Sequence, residues 1–287
     1  MSLADSERVP VADDRFTFAE DLPEQARPLA SRYAAADPFP HIAVDDFLPE
    51  GVARMLHDAF PDPESIAWQA DATGPQAGKL GTRDARNMAG ASPFVQHMLM
   101  VFNSSPFVRY LETLTGIDGL IPDPHFHGGG LHQIPRGGRL SIHADFSRHK
   151  SLGLERRVNA LLYLNPGWDA AWGGQLELWD REMTRCVERI DPWFNRLAVF
   201  STTATSYHGH PDPLACPEGI TRKSMAFYYY TQSRPGEDAP HGTLWQRRPG
   251  TEDPVAAAPA APRGSGLRRL ASRWVPPAIA DRLRGRR

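Results

Sequence analysis

Cysteine is nearly absent. Cys186 and Cys216 are the only two in 287 residues, so no disulfide framework is expected and a reducing, cytoplasmic setting is the default. Long apolar runs are missing as well. No stretch approaches the ~20 apolar residues that a bilayer-crossing helix needs, and polar residues 1–15, expected to be a disordered leader, lack the apolar centre of a secretory signal. Charge of one sign is not in excess either. The formal net charge is -2, which gives no global signal for nucleic acid or a membrane surface. What is present is a chain 41% hydrophobic, enough for a sizeable core in one large domain or one domain with extensions.

Residues 16–125 read as a strand and helical support region. Residues 22–36 are Ala/Arg-rich and helical in pattern, interrupted at Pro28. A short strand is expected within residues 38–48. A helix follows over residues 46–60, where Val52, Met55, Leu56 and Ala59 share one face and Pro61 closes it. Residues 62–86 are polar and Gly/Ala-rich, a long loop of the kind that serves as a lid or substrate loop. Residues 92–115 carry two apolar helical faces, Phe94/Met98/Val101/Phe102 and Phe107/Val108/Leu111/Leu114. Ser104-Ser105-Pro106 forms the break between them, and Gly116 is the stop.

The pattern then changes to short strands near residues 130–134, 139–145, 158–164, 175–179, 186–190, 196–201, 206–210 and 224–231. Turn signals separate them. The expected fold is mainly β with helices: a double-stranded β-helix, or jelly-roll, core over residues 126–235 with the N-terminal helices packed on one sheet. Residues 236–287 are expected to be a Pro/Ala linker and an Arg-rich tail, which reads either as a solvated, disordered or partly helical tail or as an electrostatic handle for an anionic partner or membrane surface.

Within the strand region, Leu140-Ser141-Ile142-His143-Ala144-Asp145-Phe146 alternates, which puts His143 and Asp145 on one side of a strand. His-x-Asp alone is weak, since the chain has 11 histidines. The ordered set makes the case. After His-x-Asp come Asn159-Ala160-Leu161-Leu162-Tyr163-Leu164-Asn165, Gly173-Gly174-Gln175-Leu176-Glu177-Leu178 and Arg196-Leu197-Ala198-Val199-Phe200, and then His208 and Arg222. In that order the segments resemble the core of the 2-oxoglutarate- and Fe(II)-dependent oxygenases, in the prolyl 4-hydroxylase-like branch.

The resemblance implies His143, Asp145 and His208 as iron ligands, a set that leaves one face of the metal open. His210, two residues on, is the rival distal ligand. Arg222 is implied as the grip on the distal carboxylate of 2-oxoglutarate, because its planar fork suits bidentate binding in a way that Lys223 does not. Tyr163 would share that carboxylate. Asn159, Gln133 and His132 would line the barrel mouth, with Asn159 and Gln133 as candidate cofactor contacts. Trp168, Trp172 and Trp179 read as core or rim aromatics. The expected chemistry is hydroxylation of an unactivated C–H bond with Fe(II), 2-oxoglutarate and O2, and ascorbate as reductant. The expected substrate is a small molecule or a peptide or protein, not nucleic acid. The basic connection 147–157 reads either as a solvated loop or as a substrate lid that favours an acidic group. Two other readings stay open: a His/Asp/His hydrolase built on zinc, and a jelly-roll binding module without metal.

Overall fold

The computed structural model describes residues 15–232 and 240–256. Most of the expected leader and the whole of the Arg-rich tail lie outside them. The helices are α1 (Leu22–Ala26), α2 (Ala30–Ala34), α3 (Glu50–Asp58), α4 (Pro93–Val101) and α5 (Ser105–Thr115). None of them is long and apolar enough to cross a membrane. Pro28 sits in a 3-10 turn that splits α1 from α2, as the lost backbone donor requires. Ser92 caps α4 by accepting the Val95 N–H at 3.3 Å. Gly116 ends α5 in the left-handed conformation at φ 68°.

The strands before the core are β1 (His41–Val44), β2 (Gln69–Ala70), β3 (Leu80–Gly81) and β4 (Ile121–Pro122). Those of the core are β5 (Gly130–Pro135), β6 (Leu140–Ala144), β7 (Glu155–Tyr163), β8 (Leu176–Trp179), β9 (Cys186–Ile190), β10 (Arg196–Ser201), β11 (His208–His210) and β12 (Thr221–Thr231). A last strand, β13 (Leu244–Trp245), follows. They form two antiparallel sheets. The eight-stranded sheet runs β1-β10-β7-β12-β5-β3-β2, with β4 on β12; the five-stranded sheet runs β13-β6-β11-β8-β9. This is the expected jelly roll with helices on one sheet.

Strand alternation divides the core. Val158, Ala160, Leu162, Leu197, Val199, Met225 and Phe227 turn to the helices, where they pack with Phe102, Phe107 and Leu111. Tyr163, Ala198 and Phe200 turn the other way, against Leu176 and Leu178 of the second sheet. Phe102 is the hub of the helix-side layer: its ring stacks on Phe227 at 4.4 Å and meets Phe107 edge-on at 4.8 Å. Phe102→Ala is therefore expected to cost about 3–5 kcal/mol of stability, through lost burial and a residual cavity. A urea unfolding series checks this; a midpoint shift worth under about 1 kcal/mol would contradict it.

Two segments depart from the sequence pattern. The loop at residues 62–86 contains β2 and β3, which extend the larger sheet from β5 through Leu80↔Gln133 and Gly81↔His132. Beyond Thr231 the strand pattern does not end: β13 adds an edge to the smaller sheet, with Trp245 opposite His143. Strands of two residues carry too little periodicity to be read from sequence.

Candidate active site

β6 and β11 are hydrogen-bonded neighbours with His143 directly opposite His208. Asp145 follows the end of β6 on the same face as His143. The three side chains converge, their ligand atoms all within 4.8 Å of one another. His143 Nε2 is 3.6 Å from Asp145 Oδ1, and His208 Nε2 is 3.4 Å from Oδ2. Each Nδ1 donates to a carbonyl two residues back, His143 to Ser141 and His208 to Ser206, both at 2.9 Å. That pairing fixes the tautomer and leaves each Nε2 lone pair facing the carboxylate.

Burial pulls the His208 pKa down to about 4, against the pull of the Asp145 carboxylate; its ring is neutral at pH 7, as a metal ligand must be. Burial would raise the Asp145 pKa, but Arg156 and the two imidazoles outweigh it and hold the carboxyl well below the ordinary range. Two neutral nitrogens and one carboxylate, with room beside them, fit a divalent first-row metal. His210 does not join them. It is buried in the same cavity wall, with neither ring nitrogen hydrogen-bonded, and burial holds its pKa well below the ordinary value.

The cavity beside this cluster has a volume of about 180 Å³. Arg222 closes one end. It is 5% exposed, with Nε donating to the Gly174 carbonyl at 2.7 Å and Nη2 to the Tyr163 hydroxyl at 3.3 Å. No carboxylate pairs with it among the described residues, and burial lowers its pKa while Tyr163 opposes the shift. Gly174 makes this seat possible: at φ +80° a Cβ would stand 2.8 Å from Leu214 and 3.0 Å from Arg222 Cδ. Tyr163 is wholly buried behind Arg222 and reaches the site through it.

Not every expected site residue falls where the strand pattern put it. Gln133 is a correction. Its amide donates to the Pro61 carbonyl at 3.0 Å and its oxygen accepts from Thr221, on the face opposite the cavity. Adjacent strand residues point to opposite sides, and His132 takes the inward position. Asn159 does face the cavity, but its partners are protein. Its amide donates to Asp145 Oδ2 at 2.7 Å, and its oxygen accepts from Arg156 Nε at 2.9 Å. Of the tryptophans, Trp168 and Trp172 pack edge-on at 5.3 Å away from the metal cluster, and Trp179 is a buried partner of Glu177.

Three residues enter the site unannounced by the strand pattern. Lys79, 8% exposed at the start of β3, lines the cavity across from the metal cluster; burial, then Arg83, lowers its pKa to about 8. Trp245 lies over His143 at 4.8 Å. Arg156 sits 3.0 Å from Asp145 and is sandwiched between the rings of Tyr228 at 3.5 Å and Phe146 at 4.6 Å. A β-bulge puts Arg156 there. Tyr229 opposes Val158 and Tyr230 opposes Arg156, so Arg157 is an extra residue that turns Arg156 onto the face of Asn159.

Residues 129–230 match the family described as the 2OG-Fe(II) oxygenase superfamily. A stretch of 82 residues is 32% identical to prolyl 3-hydroxylase OGFOD1 of Mus musculus. It makes up 27% of this chain and only 15% of that protein, so the chain spans a small part of this relative's length. The fold is similar to that of a prolyl hydroxylase from Trichoplax adhaerens, solved in complex with a hypoxia inducible factor oxygen degradation domain peptide fragment. The TM-score is 0.55 at 18% identity, over 76% of this chain and 96% of that one. A Pseudomonas putida prolyl-4-hydroxylase aligns with a TM-score of 0.47 and 18% identity, over 72% of this chain and 100% of that one.

Proposed function

We propose that this chain, a member of the 2OG-Fe(II) oxygenase superfamily through residues 129–230, is a 2-oxoglutarate-dependent Fe(II) hydroxylase acting on an unactivated C–H bond. One observation carries the reading: the buried, carboxylate-free guanidinium of Arg222 faces the same cavity as His143, Asp145 and His208. An uncompensated buried cation is costly, and an anionic cosubstrate gives it a partner. A zinc hydrolase would use the three ligands but leave Arg222 without a role. A binding module would need neither.

In this reading His143 and His208 offer Nε2 to the metal, and Asp145 offers a carboxylate held by Asn159 and Arg156. Arg222 Nε is committed to Gly174, so its Nη edge, with the Tyr163 hydroxyl, takes the distal carboxylate of 2-oxoglutarate. Trp245 and Phe146 shield the ligands from water. Bound Fe(II) and 2-oxoglutarate supply O2 activation, with succinate and CO2 as co-products. Ascorbate belongs to the same reading as the reductant that restores oxidised iron. So does a cytoplasmic setting, in keeping with two unpaired thiols, one of them buried. A prolyl residue in a peptide or protein is the substrate that the relatives' names suggest; a small molecule fits the same site. The Arg-rich tail would serve as a contact for an anionic partner or membrane surface.

Anaerobic addition of 2-oxoglutarate to the Fe(II)-loaded chain tests the reading. A visible charge-transfer absorption band is the expected result. Tightly bound iron with no band at saturating 2-oxoglutarate would overturn it.

Lys79 adds a pH dependence. Its ammonium is the anion-binding form, and with a pKa near 8 that charge is lost as pH rises through 8, not through the ordinary range above 10. The kcat/KM for 2-oxoglutarate is expected to fall above pH 8, and Lys79→Met is expected to abolish that limb while lowering the plateau. An identical alkaline limb in Lys79→Met would assign it to another group.

A further inference from the structure

Next to the metal cavity lies a second, larger hollow of about 550 Å³. The two share a wall made by Asp145, Phe146 and Arg156. A molecule in the second hollow therefore stands beside the metal-facing carboxylate. The rest of the lining comes from the connection between β6 and the start of β7, from residues 201–204 at and beyond the end of β10, and from Pro40, Ile117, Pro240 and His241.

Its chemistry is unbalanced toward cations. Arg148, Arg156 and Arg157 line it against Asp145 and Glu155, and Asp145 is already engaged by Arg156 and both imidazoles. Two buried polar groups also lack acceptors. Arg156 is 2% exposed and its Nη1 meets no acceptor in hydrogen-bond geometry; Thr202 is 9% exposed and its Oγ1 has no partner. Both atoms are shielded from solvent, so the guanidiniums that a solute in the hollow can reach are those of Arg148 and Arg157. Arg148 makes no ion pair among the described residues.

The connection that carries Arg148 is held in place. His149, 2% exposed, accepts the N–H groups of Ser151 and Leu152 at its Nδ1, at 3.2 and 3.1 Å. Its ring proton therefore lies on Nε2, 3.3 Å from Asp123. Asp123 in turn accepts the backbone N–H groups of His125 and His127. A pinned segment presents its guanidinium at low entropic cost.

We propose that this hollow seats the substrate, and that the substrate carries an anionic group, a carboxylate or a phosphate, held by Arg148 and Arg157, with Arg156 at the border to the metal cavity. The proposal rests on the hydroxylase reading for what happens next, but not for binding. Guanidiniums bind oxyanions through paired, charge-assisted hydrogen bonds, and apart from the engaged Asp145 the lining sets only Glu155 against Arg148 and Arg157.

The test uses the full chain loaded with Mn(II), desalted, and saturated with 2-oxoglutarate so that Arg222 is occupied. Two matched pairs of probes are compared by paramagnetic relaxation of their protons: glycerol 3-phosphate with glycerol, and N-acetylproline with N-acetylprolinamide. The expected result is relaxation of at least one anionic member that exceeds its neutral partner at least tenfold. Which pair responds distinguishes phosphate from carboxylate. R148E/R157E is expected to abolish the difference, and R148Q/R157Q, the safer variant for folding, to reduce it several-fold with the thermal midpoint retained. Equal response of both members, no response of any, or a difference that survives in R148Q/R157Q would overturn the proposal. A chain that retains neither Mn(II) nor Fe(II) would remove the hydroxylase reading instead; saturation-transfer on the metal-free chain, in wild type and R148Q/R157Q, then decides the anion question by the same comparison.

Discussion

His208→Ala is expected to empty the metal centre. In the proposed reading the ring supplies one of three ligand atoms, and its Nε2 stands 3.4 Å from the Asp145 carboxylate. No neighbouring donor takes its place: His210 points from the next inward position but lies outside the cluster whose ligand atoms are within 4.8 Å of one another. Loss of one of three protein ligands should lower Fe(II) affinity by at least about 10²-fold, more than the 10- to 100-fold usual for an outer-shell partner, and turnover by on the order of 10³-fold. Metal content after dialysis, measured for His208→Ala and His210→Ala side by side, checks this. His210→Ala is expected to retain its metal. The opposite pattern would make His210 the distal ligand.

Arg222→Met is expected to separate stability from function. The guanidinium is buried, and its partners are a carbonyl and a phenol, not a carboxylate. Replacing it with an apolar side chain of similar length removes a desolvated charge, so the metal-free fold should melt at an unchanged or higher temperature. Affinity for 2-oxoglutarate should fall by about 2–5 kcal/mol, the cost of deleting one partner of a buried charge pair; that is roughly 30- to 4,000-fold. Calorimetric titration of 2-oxoglutarate and a thermal melt on the same sample give both numbers. A lower melting temperature with unchanged affinity would make Arg222 structural.

Much of this site is legible in the amino-acid sequence, because the residues that build it lie on long, regular strands. Period-two alternation puts His143 and Asp145 on one side of β6 and lets only one of Arg222 and Lys223 face inward from β12; the family resemblance, not the alternation, singles out Arg222 and Tyr163. The same rule settles Gln133 against His132, since two adjacent strand residues cannot both face the barrel. What the pattern does not reveal has three physical causes. Lys79 and Trp245 lie at or on two-residue strands whose pairing is set by tertiary contact, not by their own sequence. Arg156 faces inward only because one extra residue breaks the alternation of β7. Asn159 faces the cavity as expected, but which atoms its amide meets depends on Arg156, whose position the bulge decides.

The β13 edge has a consequence for the order in which the protein becomes complete. If the proposed roles hold, a growing chain that has passed His143 and Asp145 still lacks its third ligand until residue 208, its carboxylate grip until residue 222, and the ring over His143 until residue 245. Each of these contacts closes a long loop, the slow and entropically costly kind. No local fragment of the jelly roll assembles the metal cluster by itself, so iron loading belongs to the end of folding, and a chain truncated where the long strands stop would carry its three ligands with His143 uncovered.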